Sequence, residues 1–184
     1  MNNDELLSAM EQVESFSALL HTTSWAWGGL TVDIHQGRIL RNHRDLDYLT
    51  LHLHELIDPL TGMFQAAGWQ ARHLENGDLK LEKNETAIQL GHLEISGSMR
   101  WAHNGELGSL YFPTDWLIQQ PKRFYDLDVH VVAPELQYFL LEHPDILNPV
   151  WKPRQKDLAA KAVLKTMLVT SKIDIEGLQT MIHG

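Results

Sequence analysis

The chain has 184 residues, 43% of them hydrophobic and 21% charged, with a net charge of −9. This is the composition of one ordinary globular domain, and its acidic balance argues against a general nucleic-acid binder, which needs clustered Lys and Arg. The lack of cysteine excludes disulfides, thiolate metal sites, a cysteine nucleophile and iron–sulfur clusters, and no apolar run approaches the roughly 20 residues of a membrane helix. The start, Met1-Asn2-Asn3-Asp4-Glu5, lacks the basic residues of a signal peptide, so the expectation is a soluble cytoplasmic protein with no membrane partner.

The spacing of Leu6, Leu7, Met10, Val13, Phe16 and Leu20 predicts an amphipathic helix over 4–20, capped by Asn3 or Asp4. The apolar stretch Trp25-Ala26-Trp27 then runs into Gly28-Gly29, and Leu30 to Gln36 reads as a short helix stopped at Gly37. After the polar segment 38–44, the alternation in Asp45-Leu46-Asp47-Tyr48-Leu49-Thr50-Leu51 suits a strand. Asp58-Pro59 reads as a helix cap with proline at the first helical position. Leu60, Met63, Phe64 and Ala67 form the stripe of that helix, and Gly68 is its stop. Three antiparallel strands follow, over 69–75, 79–83 and 86–95, with Asn76-Gly77 as a hairpin turn. A second hairpin around Asn104-Gly105 joins strands near 98–103 and 107–112. Val129 to Ala133 is a further short strand, Pro134 opens a helix over 135–142, and helices are predicted over 155–169 and 174–182. The order describes an α+β fold with a C-terminal helical segment, divided into a domain over 1–133 and a helical segment over 134–184 packed on it.

Asp45-Leu46-Asp47 is the sharpest chemical feature. On a strand, residues two apart share a face, so both carboxylates stand side by side. They form either a pair that a divalent cation such as Mg²⁺ neutralises, or a solvated face in which Asp45 pairs with Arg41 or Arg44. Gly28-Gly29 is either a simple tight turn or a cradle that lets a phosphate approach backbone N–H groups at a helix start. The combination carries more weight than either part. A glycine pair, a helix, a basic loop with Arg38, Arg41, His43 and Arg44, and a strand with two aspartates fall within twenty residues. The pair His52-x-His54, placed on a strand, shares a face suited to a transition metal, but no third ligand suggests itself.

The stretch from Trp27 to Asp47 resembles the signature of small antibiotic nucleotidyltransferases, the aminoglycoside and lincosamide adenylyltransferase-like proteins of the DNA polymerase β-like superfamily. Their pattern is Gly-Gly, a helix carrying Asp, Gly-Arg, then Arg-x-His-x-Asp-x-Asp. Here it is matched by Gly28-Gly29, Asp33, Gly37-Arg38, Arg41, His43, Asp45 and Asp47. Weaker likeness extends over roughly residues 20–165, through Ala67-Gly68-Trp69, Leu110-Tyr111-Phe112-Pro113 and the run from Lys152 to Leu158.

The resemblance implies a mixed sheet flanked by helices. It implies a metal-dependent enzyme that moves a nucleoside monophosphate, from ATP as the favoured co-substrate, onto a hydroxyl of a small acceptor such as an aminoglycoside- or lincosamide-like compound. Asp45 and Asp47 are then metal ligands and catalytic residues for Mg²⁺, and Gly28, Gly29, Arg41 and His43 bind the nucleotide. The third carboxylate that such enzymes use, as base or metal ligand, falls to Glu94, with His92 as second choice. Arg41 and His43 are alternatively partners of Asp33 or Asp45. Lys152, Arg154 and Lys156 at a helix start either meet an anion or pair with Asp157. Trp101 and Trp116 are candidates to line an acceptor pocket, whereas Trp25 and Trp27 read as core. The competing function is a non-catalytic nucleotide- or partner-binding module that keeps the fold without a competent third carboxylate. The apolar faces of the C-terminal helices leave a homodimer open.

Overall fold

One long strand, β5 (Thr86–Ser96), organises the sheet. The structure is a computed structural model that describes residues 3–96, 99–104, 108–144, 150 and 152–170. On one edge β5 runs parallel to β2 (Asp45–Leu51). On the other edge its first half pairs antiparallel with β4 (Leu79–Lys83) and its second half with β6 (Met99–Asn104). β1 (Ser24–Trp27) flanks β2, β3 (Gln70–His73) flanks β4, and β7 (Gly108–Pro113) flanks β6. Among the described residues this makes one mixed sheet of seven strands, as expected of the α+β reading.

The two faces of the sheet carry separate apolar clusters. Leu46 and Tyr48 on β2, Ile88 and Leu90 on β5, and Leu79 and Leu81 on β4 share one face. Against it pack α1 (Asn3–Leu19), through Leu6, Met10 and Val13, and α3 (Leu53–Ala66), through Leu53, Leu60 and Phe64. On the opposite face Trp25, Leu49, Leu93 and Phe112 meet α4 (Pro134–Glu142) and α5 (Gln155–Thr170). Glu142 ties these two helices together, accepting from Tyr138 Oη (2.6 Å) and pairing with Lys161 Nζ (2.8 Å). The short helix α2 (Leu30–Gln36) closes the β1 end; Gly37 adopts φ 69° as its stop, a backbone that glycine takes without strain. No helix among the described residues is long and apolar enough to cross a membrane.

Three elements differ from the sequence expectation. The helix expected to start at Asp58-Pro59 begins at Leu53, with Pro59 inside it. Strand β2 ends against a left-handed His52 (φ 56°), and the chain turns at once into the helix. Buried Leu53 extends the stripe of Leu60 and Phe64 by two turns, and this apolar anchoring outweighs the one backbone bond that proline removes. The strand expected over Val129 to Ala133 is divided. β9 (Leu127–Val129) pairs with β8 (Lys122–Phe124), a strand not anticipated, while Val131 and Val132 form single bridges to Ala26 and Leu117. His52 and His54 lie at the strand–helix junction and not on one strand face; His54 stacks on His92 with ring centroids 3.6 Å apart. The helix expected over 174–182 and the Gly105 turn lie outside the described residues.

Phe64 is fully buried and meets Phe16 and Trp69 edge to face, at 4.8 and 5.9 Å. Replacing Phe64→Ala therefore lowers unfolding stability by about 3–5 kcal/mol, read as a reduced urea midpoint at unchanged slope.

Candidate functional site

Asp45 and Asp47 project from one face of β2, and Asp47 is half-buried while Asp45 is exposed. Parallel pairing sets Asp45 beside Ala87, Asp47 beside Gln89 and Leu49 beside Gly91. Paired residues in adjacent strands share a face. On the β1 side Asp47 lies beside Trp27, and the turn that follows bends over it. Gly28 has φ 70°, and a Cβ built there would stand 2.7 Å from Asp47 Oδ2. Only glycine allows this approach. A Cβ on Gly29 would collide with the Arg41 guanidinium, so Arg41 lies across the same turn. The amide of Gly28 donates to Gln137 Oε1 on α4 (2.8 Å). Gly28 thus contributes room beside Asp47 rather than a free N–H.

The basic loop between α2 and β2 is held from inside. Asp33, buried on α2, accepts from the Leu40 amide (2.8 Å) and from His43 Nε2 (2.8 Å) with a single oxygen. His43 is 3% exposed. Its place is therefore that of a buried strut, the Asp33 partnership anticipated as the alternative, and not that of a surface contact for a nucleotide. His35, also on α2, donates to the Val132 carbonyl (2.9 Å), and burial pushes its pKa down to about 4.

Burial, followed by the charge of Asp45 and more weakly that of Asp78, pushes Asp47 up to about 7. Lys156 and Arg154 oppose this rise, so the start of α5 faces the two aspartates. Arg154 also binds Asp157 through Nε (2.8 Å) and its own amide (2.9 Å), which caps the helix. Both readings of this basic cluster hold together: the Asp157 pair fixes Arg154, and the pair of aspartates feels its charge.

Glu94 does not join them. It is two residues along β5 from His92, which pairs with Thr50, so it lies on the sheet face opposite Asp45 and Asp47. It also lies beyond Leu93, the partner of the last residue of β2. Glu94 is exposed and pairs with His92 Nε2 (3.1 Å). The alternation rule that groups Asp45 with Asp47 excludes both Glu94 and His92 from their face. Among the described residues no three His, Asp or Glu side chains stand close enough to hold a metal together. Trp116, a candidate for an acceptor pocket, is core, packed at 6.3 Å from Phe139. Trp25 is core as expected, with its indole N–H on the Ile118 carbonyl (2.9 Å). Three residues at the site had no local signal in the sequence: Gln137, Gln89 and Asp78. Only the Asn76-Gly77 turn, one residue before Asp78, could have pointed to the last.

A mixed sheet with two aspartates on an inner strand, a glycine turn bent over one of them and a short helix behind that turn defines the class of nucleotidyltransferase-fold enzymes. The sequence profile of the aminoglycoside-2''-adenylyltransferase family matches residues 9–140, and the chain belongs to that family. Among solved structures it is similar to ANT(2'')-Ia in complex with adenylyl-2''-tobramycin, with a TM-score of 0.73 at 16% identity over 97% of both chains. It is also similar to the lincosamide antibiotic adenylyltransferase LnuA, lincomycin-bound, with a TM-score of 0.68 at 17% identity over 91% of this chain and 98% of that one. A comparison with curated sequences returns no match.

A carboxylate whose folded pKa lies above its unfolded value stabilises the fold only while protonated. That contribution is complete below the unfolded value near 3.8 and is lost as the pH rises through about 7. In metal-free buffer, Asp47→Asn is therefore more stable than the native chain at pH 8, on the order of 1–3 kcal/mol. The two converge near pH 4, as thermal unfolding across that range would register.

Proposed function

We propose that this enzyme transfers AMP from ATP to a hydroxyl of an aminoglycoside- or lincosamide-like acceptor, with Asp45 and Asp47 as the carboxylates of the centre. The observation that carries the reading is the position of Asp47, half-buried under Gly28 and beside Asp45, on a chain whose family profile spans residues 9–140. Two like charges at this spacing call for a cation, and hard carboxylate oxygens with room for substrate phosphates fit Mg²⁺. When bound there, magnesium would supply charge neutralisation at the triphosphate and orient it for in-line displacement.

The chain's own residues do the rest. Arg41, lying over Gly29, and Arg154 and Lys156 at the start of α5 offer positive charge to the phosphates on either side of the aspartates. His43 and Asp33 keep the Arg41 loop in place. An acceptor oxygen held in line forms its bond to the α-phosphorus as the bond to the β-phosphate oxygen breaks. Pyrophosphate leaves, and the hydroxyl proton passes to solvent. Catalysis by this arrangement is mainly positioning and charge stabilisation. We read residues 1–133 as the unit that carries the carboxylates and 134–184 as the helical segment that brings Gln137, Arg154 and Lys156 to them. The net charge of −9 favours a cationic acceptor over nucleic acid, and a supply of ATP and Mg²⁺ accords with a cytoplasmic site of action.

The test is Mg²⁺-dependent pyrophosphate release from ATP with a panel of aminoglycosides and lincosamides. Release is expected with at least one acceptor. Asp47→Asn lowers kcat about a hundredfold or more. Gly28→Ala, which forces a methyl group against Asp47, lowers it substantially without weakening acceptor binding. Nucleotide binding without product from any acceptor would favour the non-catalytic module instead.

A further inference from the structure

Across the strand pair from Asp47 stands an amide, Gln89. With Glu94 on the other face, Gln89 is the polar side chain of β5 that shares the face of the aspartates at their level. Its orientation is fixed. Gln89 Nε2 donates to Asp78 Oδ2 (2.8 Å), and the same oxygen accepts from Asn76 Nδ2 (2.9 Å). Asp78 is in turn set by the hairpin turn, its amide donating to Asn76 Oδ1 (3.2 Å). Asp78 is 2% exposed, and its Oδ1 is buried with no hydrogen-bond partner among the described residues. A carboxylate accepts and an amide nitrogen donates, so the pairing leaves no choice of amide orientation. The NH₂ is thereby taken up by Asp78, which leaves the carbonyl oxygen as the free end of an amide on the strand position paired with Asp47.

We propose that Gln89 is the third protein group of the reaction centre, presenting a neutral amide oxygen beside Asp47, and that Asp78 is the positioning residue that holds it there. The inference rests on the assignment of Asp45 and Asp47 to a metal–nucleotide site and deepens it. An amide oxygen is a hard donor that Mg²⁺ accepts in place of one of its waters. It adds no charge to a centre where Asp45 and Asp78 already act on Asp47. It also cannot retain a proton. The centre thus offers two carboxylates and one neutral oxygen that would hold the cation, with no carboxylate base at the position beside Asp47. The acceptor hydroxyl loses its proton to solvent.

The deciding measurement is the magnesium concentration at half-effect for binding of a nonhydrolysable ATP analogue, by calorimetry on the full chain. Gln89→Met keeps the length of the side chain and removes the oxygen. It raises the magnesium midpoint about tenfold. Gln89→Glu, made together with Asp78→Asn so that the pair keeps a donor and an acceptor, adds a charge at the same position and lowers the midpoint about tenfold. Asp78→Ala raises it as far as Gln89→Met does, Asp78→Asn restores most of the affinity because it keeps an acceptor for the amide, and Asp78→Ala adds nothing in a Gln89→Met background. Magnesium midpoints within about twofold of the native value in both Gln89 variants, with unfolding midpoints showing them folded, would overturn the proposal. Asp47→Asn separates this from failure of the site itself. If that variant binds the analogue with unchanged magnesium dependence, or the native chain shows none, the metal–nucleotide reading falls and this inference with it. If Asp47→Asn loses the dependence and the Gln89 variants do not, only the role of Gln89 falls.

Discussion

The parallel pairing of β2 with β5 is the constraint on which the site depends. Its register fixes Asp45, Asp47, Gln89 and Gly91 on one face and Tyr48, Leu90 and His92 on the other. Shifting β2 by one residue would exchange its faces, burying Asp47 against Ile88 and Leu90 and turning Leu46 and Tyr48 to the other side. The hydrophobic cluster under α1 and α3 therefore does more than stabilise the sheet. By claiming Leu46, Tyr48, Ile88 and Leu90, it forces the alternate residues, including both aspartates, onto the opposite face. Chemistry and core are two sides of the same alternation.

A second layer of order comes from buried polar pairs behind the candidate site. Asp33 joins α2 to the loop that carries Arg41, through Leu40 and His43. Gln137 joins α4 to the glycine turn, and Asp78 joins the β3–β4 hairpin to Gln89. Each pair links an element of the scaffold to a residue of the candidate site. Each is the kind of partnership that positions a group without touching substrate.

Local pattern was enough for much of this. The helices α1, α2 and α4, the strands β2 to β5 and the stop at Gly37 follow from periodicity and from glycine and proline placement, and the Gly28 to Asp47 stretch was legible as one unit because its parts are close in sequence. The residues that escaped do so for a common reason. Glu94 is the third carboxylate that the resemblance implies, whereas its face is set by the β2–β5 register, a relation between strands some forty residues apart. Gln89, Asp78 and Gln137 enter the site from three different elements, and a lone glutamine on a strand or helix carries no signal of its own. Pro59 misled for the opposite reason. Its local preference for a helix start was real, but the burial of Leu53 decided where the helix began.

The burial of Asp47, with Asp45 beside it, also bears on how often the fold opens. A fold that is weakened by a buried carboxylate opens more often, and transient opening is what proteases act on. Any cation that neutralises the buried charge closes that route in proportion to its occupancy. How often the fold opens is thereby tied to whatever relieves the burial of charge at Asp47.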